Sequence, residues 1–120
     1  MKEIIKNWIE KAESDLDAAK YNFKGKRYDI SAFLCQQAAE KALKALSLKK
    51  IKKLRKIHDL IELGKDVNIS EDLLEKLKEL TLAYIYSRYP DVKQELNLKE
   101  KVSKFIKTSE EVIQWVKKLL

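Results

Sequence analysis

Apolar residues recur along this chain at steps of three and four, which is the spacing of amphipathic α-helices. The pattern predicts helices over residues 2–24, 28–48, 71–84 and 98–119. Within the second helix, residues 31–46 place their apolar side chains, many of them alanine, on about half of the helix surface. An ordinary surface helix has an apolar stripe about 100° wide. The second helix is therefore predicted to be central and to pack closely against at least two neighbours.

The residues between these segments predict how the helices end and how they are connected. Gly25 is the expected stop of the first helix, and the short link after it favours an antiparallel second helix. A short helix is expected to begin at residues 58–60 and to stop at Gly64, and Ser70 is the expected N-cap of the helix over residues 71–84. The predicted fold class is all-α: an antiparallel up-and-down four-helix bundle with an additional short helix in the middle connection.

The composition favours one helical domain over residues 1–120. Two glycines and one proline leave little material for turns, as expected for long helices with few loops. The single cysteine, Cys35, lies on the apolar arc and has no internal disulfide partner, which is typical of a cytoplasmic protein. No segment approaches the ~18 consecutive apolar residues of a membrane span. No signal peptide, metal site or cofactor site is indicated.

The charge balance is compatible with an acidic partner such as RNA or DNA. The 26 Lys and Arg residues outnumber the 19 Asp and Glu residues, which gives a formal net charge of +7. Residues 49–56, among them Lys53, form the most basic segment and are predicted to be an exposed loop. Such a cluster can neutralise phosphates, but it is equally typical of a solvated surface. No aromatic residue interrupts it, so stacking on bases is not indicated there.

His58 is the only histidine and a candidate for chemistry. It can act as a general base, or it can have a structural role at the start of the short helix. Adjacent helical residues do not face each other, so His58 and Asp59 are not expected to form a catalytic dyad.

The segment from residue 84 to residue 91 breaks the helical pattern. It contains three tyrosines, among them Tyr84 and Tyr89, together with Arg88 and Pro90. The proline biases Tyr89 towards an extended conformation. The phenols and the guanidinium can bind a phosphate or stack on a base. Alternatively, they connect this turn to the bundle through tyrosine hydroxyl groups and an Arg88–Asp91 pair.

Two aromatic residues lie away from the apolar stripes of their helices. Phe33 lies among Gln36, Gln37 and Glu40 on the polar half of the second helix, and Trp115 lies off the stripe of the last helix. Aromatic side chains on a polar surface favour a protein contact. We therefore expect Phe33, Gln37 and Trp115 to contribute to an interface with another protein chain.

Several motifs resemble those of the HEPN domain. They are Asp15-Leu16-x-x-Ala19, Tyr28, the run from Cys35 to Ala45, Lys56-x-His58-Asp59-Leu60 and Arg88-Tyr89-Pro90-Asp91. The likeness extends over about residues 5–115. It implies a helical bundle that usually forms a homodimer, and Phe33, Gln37 and Trp115 are then the residues expected at the dimer interface. Small prokaryotic members are often encoded beside a minimal nucleotidyltransferase, and some such pairs act as toxin and antitoxin. A likeness of the domain to the helical part of aminoglycoside nucleotidyltransferases implies nucleotide binding.

The resemblance also bears on nuclease activity. Many HEPN toxins are metal-independent ribonucleases with an Arg-x(4–6)-His motif. With His58 as the histidine, the arginine would have to occupy a position that here holds Ile51, Lys52 or Lys53. Lysine lacks the rigid fork with which arginine binds phosphate, so the motif is absent.

The leading hypothesis is a non-catalytic, dimeric HEPN protein that works with a minimal nucleotidyltransferase. It is expected to bind a nucleotide or phosphate near Arg88, with Tyr84, Tyr89, His58 and Lys53 as further candidates. One alternative is a ribonuclease whose composite site, using His58 with Arg88 or the basic loop, forms across a dimer. Another is a nucleic-acid-binding module driven by net charge.

Overall fold

The computed structural model describes residues 2–89 and 97–120. Within these residues the chain is all-α, with no strand and six helices: α1 (Lys2–Lys24), α2 (Tyr28–Lys50), α3 (Leu60–Asp66), α4 (Glu71–Leu80), α5 (Ala83–Arg88) and α6 (Leu98–Leu119). None of the helices in the described part of the chain is both long enough and apolar enough to cross a membrane.

Contacts between the helices support the predicted up-and-down arrangement. On α1 and α6, Lys20 pairs with Glu110 at 3.2 Å, and Glu13 pairs with Lys117 at 3.0 Å. These pairs run in opposite directions along the two helices, so α1 and α6 are antiparallel. The N-terminal half of α6 packs against α5, since the ring centroids of Tyr86 and Phe105 are 6.2 Å apart.

Helix α2 is the central helix, as its wide apolar arc predicts. It contacts α1, α3, α5 and α6, and its core-facing alanines are fully buried. Small side chains allow neighbouring helices to approach α2 closely, and two buried serine hydroxyl groups bond to backbone carbonyls across these contacts. Ser31 on α2 donates to the carbonyl of Ala19 at 2.8 Å, and Ser109 on α6 donates to the carbonyl of Cys35 at 2.7 Å. Burial raises the pKa of the Cys35 thiol to about 12, which makes it unreactive at neutral pH.

Helix α1 ends at Lys24, next to Gly25 as predicted, but Gly25 does not have the left-handed conformation of a helix-stopping glycine. The left-handed residue that reverses the chain is Lys26, with φ of 62°. The N–H of Lys26 donates to the Phe23 carbonyl at 3.0 Å, and the N–H of Arg27 donates to the Asn22 carbonyl at 2.8 Å. This is the hydrogen-bond pattern of a Schellman motif, with lysine at the position where glycine is usual.

Gly64 does not stop the short helix either, because it lies inside α3. Asn68 takes the left-handed conformation that ends the helix, with φ of 55°. Gly64 is needed instead for packing: a Cβ at this position would lie 3.0 Å from Ile69 Cγ2 and 3.1 Å from Leu77 Cδ1. By contrast, Ser70 caps α4 as predicted, since its hydroxyl accepts from the N–H of Leu73 at 3.2 Å.

The helix predicted over residues 71–84 is interrupted after Leu80, and a new helix, α5, covers much of the segment expected to break the pattern. Leu77, Leu80, Ala83 and Tyr86 are all buried. Their spacing is three residues, and in a straight α-helix each such step would rotate the side chain about 60° away from the core. The break between α4 and α5 keeps all four residues in the core and leaves Tyr84 exposed.

Candidate ligand-binding site

A groove of about 800 Å³ lies between α2, α3 and α5. Helix α2 contributes Phe33, Gln36 and Gln37 to its walls, and α5 contributes Tyr84 and Arg88. His58 and Asp59, which precede α3, complete the polar part of the lining. The groove therefore brings together five residues that the sequence singled out separately: Phe33, Gln37, His58, Tyr84 and Arg88.

His58 is held at the edge of the groove by one ring nitrogen. Its Nδ1 lies 2.9 Å from Oε2 of Glu40, while its side chain is 83% exposed. The neighbouring Asp59 has a different role, because its side chain caps α3 by accepting from the N–H groups of Ile61 and Glu62. The expectation that His58 and Asp59 form no dyad agrees with this geometry. Asp59 therefore has the structural role at the start of α3, and the His58 ring remains accessible to a ligand in the groove.

Glu40 is buried, although the sequence pattern placed it on the solvated half of α2. It is only 3% exposed, and its partner Lys44 is 6% exposed. Lys44 donates to Glu40 Oε2 at 3.1 Å, and Gln36 donates to Oε1 at 3.1 Å. Burial by itself would raise the pKa of the Glu40 carboxyl, but the hydrogen bonds from His58, Gln36 and Lys44 hold this pKa below its usual value. Glu40 is therefore ionised at neutral pH.

Glu40 and Lys44 are buried because distant parts of the chain cover them. The segment before α3 folds back so that His58 meets Glu40. On the other side, α1 places the Trp8 ring against Lys44, with the ammonium 5.7 Å from the ring centroid. Helical periodicity carries no information about either contact, since both involve residues far apart in sequence.

A chain of hydrogen bonds continues from Glu40 to α1. The amide of Gln37 donates to Gln36 at 2.8 Å, and Lys41 donates to Gln37 at 3.3 Å. Lys41 also pairs with the buried Asp15 of α1, which Lys11 reaches at 3.3 Å. The polar half of α2 is thus an ordered network that connects α1 to the groove.

Arg88 and Tyr84 form the opposite wall of the groove. The guanidinium carbon of Arg88 lies 4.2 Å from the centroid of the Tyr84 ring, which is a stacked cation–π contact. Phe33 lines the groove from α2 and is 41% exposed. A smaller pocket of about 300 Å³, which Asp29 and Ile30 also line, shares Phe33 and Arg88 with the groove.

A family model described as the HEPN domain matches residues 5–119 of this chain. The chain belongs to the HEPN family. No curated protein sequence matches it significantly.

Solved structures of other proteins have the same fold. A protein from Thermus thermophilus is 28% identical, with a TM-score of 0.84 over 97% of this chain and 98% of that one. An archaeal HEPN homologue is 32% identical, with a TM-score of 0.79 over 96% of both chains. A HEPN domain protein from Thermotoga maritima, 22% identical, has a TM-score of 0.79 over 94% of this chain and 96% of that chain. At that identity, the last likeness shows the fold alone.

The three tyrosines between residues 84 and 89 of this HEPN protein have different surroundings. Only Tyr84 stacks on Arg88. Tyr86 is buried, and its hydroxyl accepts from Lys101 at 2.7 Å, so it ties α5 to α6. Tyr89 is exposed and extended, as expected before a proline, and it does not line the groove. The predicted Arg88–Asp91 pair lies outside the described residues, as does Pro90 itself.

The basic segment, predicted to be a loop, begins inside α2, which ends at Lys50, and none of its residues lines the groove. Its last residue, Lys56, precedes His58 by two positions, whereas Lys53 is exposed and does not line the groove. Arg55 is occupied, since its guanidinium lies 2.9 Å from Asp66 and 3.4 Å from Glu62. The groove is therefore built without the lysines of this segment.

Trp115 lies away from the groove. It is half-buried against the core, and the Lys50 ammonium lies 5.9 Å from its ring centroid. Lys50 and Phe33 are at opposite ends of α2, about 25 Å apart at 1.5 Å per residue. Trp115 and Phe33 therefore lie on separate surfaces. Within residues 2–89 and 97–120, no cluster of three or more His, Cys, Asp or Glu side chains has the arrangement of a metal site.

Proposed function

We propose that this HEPN protein binds a nucleotide, free or within RNA, in the groove between α2, α3 and α5. The observation that carries the proposal is the Arg88 guanidinium stacked on Tyr84 in a groove that Phe33 and His58 also line. Aromatic faces stack on bases, and a guanidinium binds phosphate through paired hydrogen bonds. A volume of about 800 Å³ lies within the usual range of small-molecule sites.

The polar groups of the groove fit a ligand rich in hydrogen-bond acceptors. Gln36 and Gln37 each use one amide N–H in the network that ends at Glu40. A glutamine amide has two N–H donors, so one of each remains outside that chain of bonds. Together with Arg88, these donors match phosphate oxygens and the carbonyl edges of bases.

Isothermal titration calorimetry with ATP, GTP and their analogues tests this proposal. We expect binding to wild type, and a loss of about tenfold or more in affinity for Arg88→Ala because a charged hydrogen-bond donor is removed. Lys118→Ala, an exposed change at the end of α6, is the matched control and should bind as wild type does. No binding at millimolar nucleotide would contradict the proposal. Salt-sensitive binding that is equal in both variants would instead indicate a module driven by net charge.

The second candidate function is a metal-independent ribonuclease. It is favoured by the geometry of His58, which lines the same groove as Arg88 within one chain and has a carboxylate behind its ring. An imidazole held in this way can accept a proton from a hydroxyl group. Incubation of total RNA with wild type and with His58→Ala distinguishes the functions, since equal background cleavage by both proteins rules the ribonuclease out.

The proposal includes the biological setting that the family suggests: a homodimer that works with a minimal nucleotidyltransferase in a module of the toxin–antitoxin type. Support for a protein contact comes from the exposed apolar side chains on α2 and α5, which are Ile30, Phe33, Tyr84 and Ile85. Phe33 and Gln37 are the proposed dimer residues on this surface, and Trp115 belongs to a separate one. Light scattering of Phe33→Asp at micromolar concentration should show a monomer. A dimer that persists in this variant would show that the interface lies elsewhere.

A further inference from the structure

We propose that Glu40 is the positioning residue of the groove: its buried carboxylate holds the His58 ring in the tautomer with the proton on Nδ1, so that Nε2 is the nitrogen offered to the ligand. The proposal deepens the proposed function and rests on it, because Nε2 acts only if a ligand enters the groove. Glu40 itself does not line the groove and acts through His58.

The direction of the hydrogen bond between these residues follows from the state of Glu40. An ionised carboxylate only accepts hydrogen bonds. Glu40 accepts from Lys44 and Gln36 at 3.1 Å each, and a third contact, at 2.9 Å, joins it to His58 Nδ1. Nδ1 must therefore be the donor. In a neutral imidazole the other nitrogen then has a lone pair, which can accept from a hydroxyl of the ligand.

The remaining charged groups around His58 do not compete for Nδ1. Asp59, its neighbour in sequence, has its carboxylate turned to the N–H groups at the start of α3. Lys44 reaches His58 only through Glu40. Arg88 and Tyr84 face it from α5 across the groove and are stacked on each other. Glu40 is thus the carboxylate that sets the orientation of the ring.

Burial makes this arrangement specific. Glu40 is 3% exposed, so its carboxylate is held in place by the protein, whereas the His58 side chain that it contacts is 83% exposed. Each oxygen of Glu40 has a donor from the protein, and the network beyond it reaches Asp15 on α1. Such a fully satisfied buried network fixes the rotamers of its members. The contact between Nδ1 and this fixed carboxylate therefore orients the Nε2 lone pair before any ligand binds.

The tautomer can be measured directly, because His58 is the only histidine in the chain. The two ring nitrogens of a neutral imidazole have different ¹⁵N chemical shifts, which two-bond ¹H–¹⁵N correlation spectra resolve. The spectrum of the ¹⁵N-labelled protein without ligand at pH ~8.5, where an unperturbed imidazole is neutral, should show the Nδ1–H form. An Nε2–H form in wild type would overturn the proposal.

Glu40→Met alone leaves the buried Lys44 without its partner and can prevent folding. The test therefore compares Lys44→Met with the double variant Glu40→Met/Lys44→Met, in which both charges are replaced by unbranched apolar side chains. Lys44→Met should keep the Nδ1–H form, whereas the double variant should give a mixture of tautomers. Asp59→Asn, which preserves the cap of α3, should keep the Nδ1–H form. Equal spectra for Lys44→Met and the double variant would contradict the proposal.

Ligand binding gives the second readout. The affinity for ATP, measured at the same pH, should fall about three- to tenfold from Lys44→Met to the double variant, since one oriented acceptor is lost. If wild type shows the Nδ1–H form but binds no nucleotide, the proposed function fails while the arrangement of Glu40 and His58 stands. If nucleotide binds equally to both variants, the function stands and the role assigned to Glu40 fails.

Discussion

Lys26 occupies a backbone conformation that residues with a Cβ reach only at a cost. Its φ is 62°, and it lies at the turn between α1 and α2 where glycine is the usual residue. Lys26→Gly should therefore stabilise the protein by about 0.5–1 kcal/mol. Urea denaturation followed by circular dichroism measures the change. The matched control is Lys24→Gly, inside the last turn of α1, which should lose up to about 1 kcal/mol; a loss at Lys26 as well would contradict this account.

Some individual residues of the site can be identified from the sequence, and others cannot. His58, Arg88 and Tyr84 stand out because their residue types are rare in this chain or clustered in one segment. Glu40 and Lys44 do not stand out, since an i,i+4 pair of opposite charges is common on exposed helix surfaces. Their burial comes from Trp8 and from the segment that carries His58. The residues that line the groove were thus predictable one by one, while the residues that support them were not.

Gly64 determines how closely α3 approaches α4. Because a Cβ here would lie 3.0 Å from Ile69 and 3.1 Å from Leu77, the additional methyl groups of Gly64→Val should overpack this contact. We expect a loss of about 1–3 kcal/mol in the free energy of unfolding. Gly25→Val is the control, because the atoms nearest to its added Cβ are at ordinary distances of 3.7 Å and 3.8 Å. Equal effects of the two substitutions in urea denaturation would show that Gly64 is not a packing residue.

The helices themselves follow from local signals, and their interruptions do not. Periodicity predicts α1, α2 and α6 because each buries one continuous stripe, and Ser70 marks the start of α4 through its own side chain. The break between α4 and α5 depends on which of their side chains pack into the core against the other helices. That information is tertiary, so the sequence pattern alone extends the helix to Tyr84.

Acid stability is a property of the whole molecule that the network at Glu40 affects. The pKa of the Glu40 carboxyl is lower in the folded state than usual, so the folded protein binds this proton less readily than the unfolded chain. The stabilisation is fully present above the ordinary carboxyl range, about pH 4.3, and is lost as the pH falls through the lower folded-state value.

The double variant Glu40→Met/Lys44→Met lacks this titration. Its free energy of unfolding should therefore fall less steeply than that of wild type when the pH is lowered below about 4.3. Urea denaturation at a series of pH values measures the two slopes. Parallel slopes for the two proteins would show that Glu40 titrates alike in the folded and unfolded states.

The central claim is that the groove between α2, α3 and α5 is the ligand site of this HEPN protein. Nuclear magnetic resonance of the ¹⁵N-labelled protein, titrated with an equimolar mixture of the four ribonucleoside triphosphates, tests it most directly. A second groove of about 570 Å³ between α4 and α6, lined by lysines and acidic residues in equal number, provides an internal control for non-specific binding in an open groove. The account predicts saturable shift changes at Phe33, His58, Tyr84 and Arg88. Changes confined to the groove between α4 and α6, or spread evenly over the basic surface, would contradict it.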